Sequence, residues 1–245
     1  MSTDTPTTPP LPETWPVLSA LDRRLLGVLV EKAKTTPDTY PLSLNALATG
    51  CNQKSNRDPI MHVEEADAEN ALVALQTNGL VIKITGGRVV RWRHQLYDRW
   101  QVNKVELALI ADLLLRGAQT EGELRSHASR MEPVEDLEQL RQALRPLVER
   151  KLIVMLGPEG RRGTLIAHGF YTPQELEVLR SQQGRAVESA PVPSHPVSAH
   201  SDEVATLAAE LQQVKRDIAA LQARLEETQQ AVEELRRHVP VAAEP

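Results

Sequence analysis

The densest gathering of chemically capable side chains is the run Asn52, Gln53, Lys54, Ser55, Asn56, Arg57 and Asp58, which follows directly on Cys51, the one cysteine of the chain. Amides, a hydroxyl, two cations and a carboxylate packed this closely can meet a nucleic acid or a protein partner, or fix a loop. The run holds no apolar residue, so it adds little to a core. Two readings of it stand side by side. Asn, Ser and Asp close turns by bonding nearby backbone, which makes the run a connector. Gln53, Lys54 and Arg57 are long donors that a connector does not require, which makes it a contact surface on a rigid scaffold.

Chemistry of the bond-breaking kind finds no constellation. Cys51 ends a short helical pattern, where a small buried thiol is the commoner condition; a reactive thiol needs an exposed, electropositive setting. The chain has no Cys-x-x-Cys and no His-x-x-x-His, so no zinc site is expected. Gly157, Gly160 and Gly163 resemble a phosphate loop only superficially, because no Gly-Lys-Ser/Thr follows and the segment lies between strands rather than before a helix. The expectation is a non-enzyme with no catalytic residue, cofactor or metal.

Binding is the remaining chemistry. Lys83, Arg88, Arg91 and Arg93 mark one predicted hairpin, and strand alternation puts Arg91 and Arg93 on one face with Trp92 on the other. Arg161 and Arg162 occupy a second. Such arginines either solubilise a surface or contact phosphates, and both alternatives stand. The candidate contact set for nucleic acid or a protein partner is therefore Asn52, Gln53, Lys54, Asn56, Arg57, Arg88, Arg91, Arg93, Arg161 and Arg162.

Composition bounds what can position these residues. The 245-residue chain has a formal net charge of -5, so no global basic field advertises a nucleic-acid binder. Aromatics make up 3%, so the cores are built from Leu, Val, Ile and Ala, which favours helices. A single cysteine fits a reducing compartment, and no apolar run approaches the ~18 residues of a membrane span. The expectation is a cytoplasmic protein with no membrane contact and a disordered Thr- and Pro-rich leader over 1–17.

Helix signals recur twice in one order. Ser19 with Asp22 caps a helix that fades before Pro37, Ser43 caps a short one to about Thr49, and a third runs from about Glu64 to Asn78, ending at Gly79. Val81–Ile84 and Val89–Arg93 read as a hairpin through Gly86 and Gly87. The order repeats with Asn103 and Glu106, with Thr120 and Glu123 to about Arg130, and with Leu137, Leu140, Leu144 and Leu147, a pattern that Pro146 should kink or shorten. Ile153–Leu156 and Thr164–Ala167 form the second hairpin. The predicted fold is mainly α with small β-hairpins (α+β): tandem winged helix-turn-helix domains at 18–97 and 102–172. The third helix of the first carries Glu64, Glu65, Asp67 and Glu69, which opposes groove binding by that helix.

Beyond a Ser-, Pro- and Ala-rich flexible linker at 181–201 comes a heptad run over 202–239. Val204, Leu207, Leu211, Val214, Ile218, Leu221, Leu225, Thr228, Val232, Leu235 and Val239 alternate steps of three and four, the mark of a coiled coil. Glu210 at g and Lys215 at the next e attract across a parallel pair, so a homodimer is expected.

The strings TTPDTYPLSLNALATGCNQKSNRDPIM and LLLRGAQTEGELR closely resemble signatures of the YceH-like family of uncharacterised bacterial proteins, over about residues 18–170. The resemblance implies two winged-helix domains and carries no activity, substrate or cofactor. The chain departs from the pattern at Val63, where a helix-capping Ser is usual.

Overall fold

Ser19 opens the first helix as its spacing predicts: its hydroxyl accepts from the Asp22 backbone, and the Asp22 carboxylate accepts from the Ser19 backbone. The computed structural model describes residues 15–158, 161 and 163–188. Helix α1 (Ala20–Thr35) buries its middle turns completely and stops two residues before Pro37. A single 3-10 turn leads to strand β1 (Leu42–Ser43) and helix α2 (Leu44–Cys51), which Ser43 caps. The polar run then crosses to helix α3 (Glu65–Thr77). Strands β2 (Val81–Ile84) and β3 (Arg91–His94) make the hairpin, and a short helix α4 (Leu96–Trp100) leads out of it.

The second half repeats the order. Helix α5 (Lys104–Arg116), strand β4 (Gln119–Thr120) and helix α6 (Glu121–Ala128) carry the predicted Asn103–Glu106 and Thr120–Glu123 capping boxes. Helix α7 (Leu137–Glu149) and strands β5 (Ile153–Met155) and β6 (Leu165–His168) follow, and helix α8 (Pro173–Glu188) closes the described chain. The described residues thus form a mainly helical α+β structure with small antiparallel sheets, ordered β1-β3-β2 and β4-β6-β5. Registers match between halves: Ser43 pairs with Arg91 as Thr120 pairs with Leu165, and Val81 with His94 as Ile153 with His168.

Several expectations need correction. Val89 and Val90 lie exposed in the turn rather than in a strand, because placing Trp92 inward (1% exposed) starts the pairing at Arg91. Helix α7 continues three residues past Pro146. The ring removes one intrahelical donor, but Leu147 is fully buried and the Arg150 N–H still bonds the Pro146 carbonyl. Helix α8 runs on through 181–188, the start of the segment read as linker. Thr172 and Glu175 cap it reciprocally, with the Thr172 N–H on the carboxylate at 2.7 Å and the Glu175 N–H on the hydroxyl at 3.1 Å. Most of the leader, the rest of the linker and the heptad run, from Val204 to Val239, lie outside the described residues.

One continuous apolar core spans both halves, with α1 packed against α5 along the seam. Gly27 permits that close approach: a Cβ there would stand 2.7 Å from Leu115 Cγ. The ends are tied together as well. Trp100 stacks on Phe170 at 4.8 Å, and the Leu18 N–H donates to the Phe170 carbonyl at 3.1 Å. No helix among the described residues is long and apolar enough to cross a membrane.

Candidate functional site

The polar run is the connector between α2 and α3, and its members divide between holding the loop and facing outward. Asn52 clamps the loop end to end: its amide nitrogen donates to the Val63 carbonyl at 2.9 Å, and its oxygen accepts from the Val63 N–H at 2.7 Å. That grip sets the start of α3 at Glu64, which caps the helix without a side-chain bond. Arg57 is buried, with its side chain 0% exposed, and donates to both Glu31 carboxylate oxygens at 3.0 and 2.6 Å, to the Gln53 side chain and to the Gly50 carbonyl. An arginine held this way has no face left for an outside partner, so Arg57 leaves the contact set. Cys51 is fully buried, and burial pushes its thiol up to about 12, which keeps it protonated and inert.

Gln53, Lys54, Ser55 and Asn56 instead line a cleft of about 520 Å³ with α1, α5 and α6. The opposite wall comes from the second half: Asp112, Arg116, His127, Arg130 and Met131. Asp112 lies on the otherwise apolar face of α5, 2% exposed, where it accepts from Arg116 Nε at 3.0 Å and from the Gln119 amide nitrogen at 2.8 Å. Burial raises its pKa, opposed by the Gln119 hydrogen bond and the nearby Arg116 and His127. Because the Gln119 nitrogen faces Asp112, its oxygen faces His127, 2.6 Å from Nδ1. His127 must therefore carry a proton on Nδ1, which leaves Nε2 outside this chain of bonds. Arg130 reaches across the cleft to the Asn56 side-chain oxygen at 3.4 Å.

The charge balance is uneven. Glu31 is engaged by Arg57, with Lys32 at 3.7 Å, and Asp112 by Arg116. Lys54 and Arg130 pair with no acidic side chain among the described residues. The cleft is thus net cationic and nearly all polar.

The remaining predicted residues do not join it. Arg88 and Arg93 are exposed on the first hairpin, and Arg91 folds back to donate to the Pro41 carbonyl at 2.7 Å. Trp92 is buried beneath them, as alternation requires. Arg161 is exposed in the second hairpin loop, and Arg162 lies outside the described residues. Sequence reasoning missed Asp112, Arg116, His127 and Arg130. The one local signal was a lone carboxylate inside the apolar stretch of α5.

Two like-ordered helical units, each closed by a hairpin and together enclosing a polar cleft, define a duplicated α+β architecture. The family model described as "Protein of unknown function, DUF480" matches residues 18–161, across both units. A UPF0502 protein of Rhodopirellula baltica is 51% identical over 178 residues, covering 72% of this chain and 75% of its own. One from Mesorhizobium japonicum is 38% identical over 87% of this chain and 97% of its own, and one from Geobacter sulfurreducens 46% identical over 62% and 71%. The chain belongs to the DUF480/UPF0502 family of uncharacterised bacterial proteins, in agreement with the YceH-like resemblance of its sequence.

Proposed function

We propose that the protein is a non-enzymatic, tandem winged-helix nucleic-acid binder of regulatory type, paired into a homodimer through the C-terminal heptads. The repeated element order with matched strand register supports the winged-helix reading, since each hairpin follows its third helix as a wing does. Arg88 and Arg93, exposed above a buried Trp92, are the phosphate contacts of the first wing, and Arg161 that of the second. Helix α7 offers a further cation, Arg145, exposed on the helix that corresponds to acidic α3.

Titrating the full chain into labelled duplex DNA at several salt concentrations tests the proposal. Binding should weaken steeply with salt, at two chains per duplex, and Arg88→Ala or Arg93→Ala should each lower the salt slope by about 1. Absence of binding at low salt would overturn it. One observation favours a second reading, a protein-interaction adaptor: α3 presents Glu65, Asp67 and Glu69 beside exposed Val73. Partners that survive nuclease treatment of a lysate would favour that reading over the first.

A further inference from the structure

The first half supplies an internal control for the hydrogen-bonded chain behind the cleft. By helix cap and strand register, Val28 corresponds to Asp112, Leu42 to Gln119 and Gly50 to His127. All three first-half residues are buried and carry no polar side chain, and a Cβ on Gly50 would meet Val28 Cγ1 at 2.7 Å. The fold therefore forms without the Asp112–Gln119–His127 chain. Burying a carboxylate costs stability unless something is gained, and here the gain is a fixed imidazole and guanidinium at the cleft wall.

The cleft has the dimensions of a small-molecule site, about 520 Å³ against a usual range of about 300–1,000 Å³. Met131 is its one apolar side chain, so an occupant must be polar throughout. Lys54 and Arg130 approach from opposite walls without acidic partners, and Ser55, Asn56 and His127 add donors. A tetrahedral anion with several oxygens can use converging donors of this number, and charge-assisted bonds to it are the strong kind. We propose that the cleft between the polar connector and helices α5 and α6 binds a small phosphorylated ligand, with Lys54 and Arg130 gripping the phosphate and His127, oriented through Gln119 and Asp112, bonding the ligand.

This inference does not rest on the nucleic-acid reading, because the hairpin arginines do not line the cleft. Titration calorimetry of the full chain at fixed ionic strength, with inorganic phosphate, adenosine monophosphate and a short oligonucleotide as probes, tests it. Both small probes should bind, and Lys54→Gln combined with Arg130→Gln should weaken them at least about tenfold. Lys54 and Arg130 are exposed, so an unchanged Tm should confirm an intact fold. Asp112→Val with Gln119→Leu imports the first-half residues; the fold should persist while affinity drops several-fold. Binding by neither small probe, binding by the oligonucleotide alone, or affinities indifferent to both variants would each overturn the proposal.

Discussion

Ser43 and Thr120 stand at the same place in their halves, as do Leu75 and Leu147, or His94 and His168. On the outward face of the third helix the likeness ends: Glu69 of α3 corresponds to Arg141 of α7, and Val73 to Arg145. The connectors differ too. The first half spans 52–64 and is drawn inward by Arg57, while the second spans 129–136 and is closed by Ser129 Oγ on the Arg125 carbonyl at 2.7 Å and by buried Val134. Caps, strand register and inward leucines are what the shared architecture requires. Surface charge and connector chemistry are where the halves are free to diverge, so they are where function is to be sought.

The largest expected effect tests the connectors. Arg57→Met removes a buried cation that two Glu31 oxygens, Gln53 and Gly50 all engage, and leaves Glu31 facing an apolar stem with Lys32, 3.7 Å away, as its remaining ion pair. Breaking a buried pair by losing one partner costs about 3–5 kcal/mol. Arg145→Met on the exposed face of α7 should stay within about 0.5 kcal/mol. Urea unfolding of both variants measures the contrast, and similar small losses would mean that the first connector is not anchored through Arg57.

The two hairpin histidines test the likeness instead. Nδ1 of each accepts the N–H two residues on, Leu96 at 3.4 Å and Phe170 at 3.3 Å, so both share one tautomer. Burial lowers His94 to about 4, helped by Lys34 and Arg93, and lowers His168 to about 3, helped by Arg23 and opposed by Glu175. Folded pKa values below the unfolded one mean that the unfolded chain binds protons first. Stability is then complete above the ordinary histidine range near ~6.5 and falls as pH drops below it, levelling only at the folded values. By about pH 5 each histidine should have lost about 2 kcal/mol, and the two part only below about pH 4, where His94 levels first. His94→Asn and His168→Asn should each flatten part of that slope in urea unfolding against pH. If either variant abolishes the whole slope, the two sites are not equivalent.

Much of this architecture was legible because its signals are local. The capping pairs Ser19–Asp22, Asn103–Glu106 and Thr120–Glu123 each span three residues, and all three boxes form. Strands β1 and β4 went unread because they are two residues long, too short to show alternation, yet they pair with the hairpin strands β3 and β6. The burial of Arg57 depends on Glu31, 26 positions earlier, a separation that no periodicity reports. Gln53, Lys54 and Asn56 were found by composition. Their opposite wall was not, since Arg116, His127 and Arg130 look like ordinary helix-surface residues until α5 and α6 are brought against the connector. Asp112 was the readable exception, a charge at a position where the sister helix has Val28.

The smallest effect is the sharpest measure of how alike the halves are. Ser43 caps α2 through one bond, accepting from the Ala46 N–H at 3.2 Å. Thr120 caps α6 within a reciprocal box, where the Glu123 carboxylate accepts from the Thr120 N–H at 2.9 Å and its hydroxyl at 2.7 Å. Ser43→Ala should cost about 0.5–1 kcal/mol and Thr120→Ala about 1–1.5 kcal/mol. Those hydrogen bonds hold the Glu123 pKa below the ordinary glutamate range. A depressed folded pKa gives stability that is present above the unfolded value and lost as pH falls through the folded one. The excess cost of Thr120→Ala should therefore shrink toward that of Ser43→Ala in acid, because protonated Glu123 no longer returns its bond. Urea midpoints of the two variants at neutral and acid pH read this directly. A gap that persisted in acid would place the extra stabilisation in the packing of the threonine methyl rather than in the carboxylate.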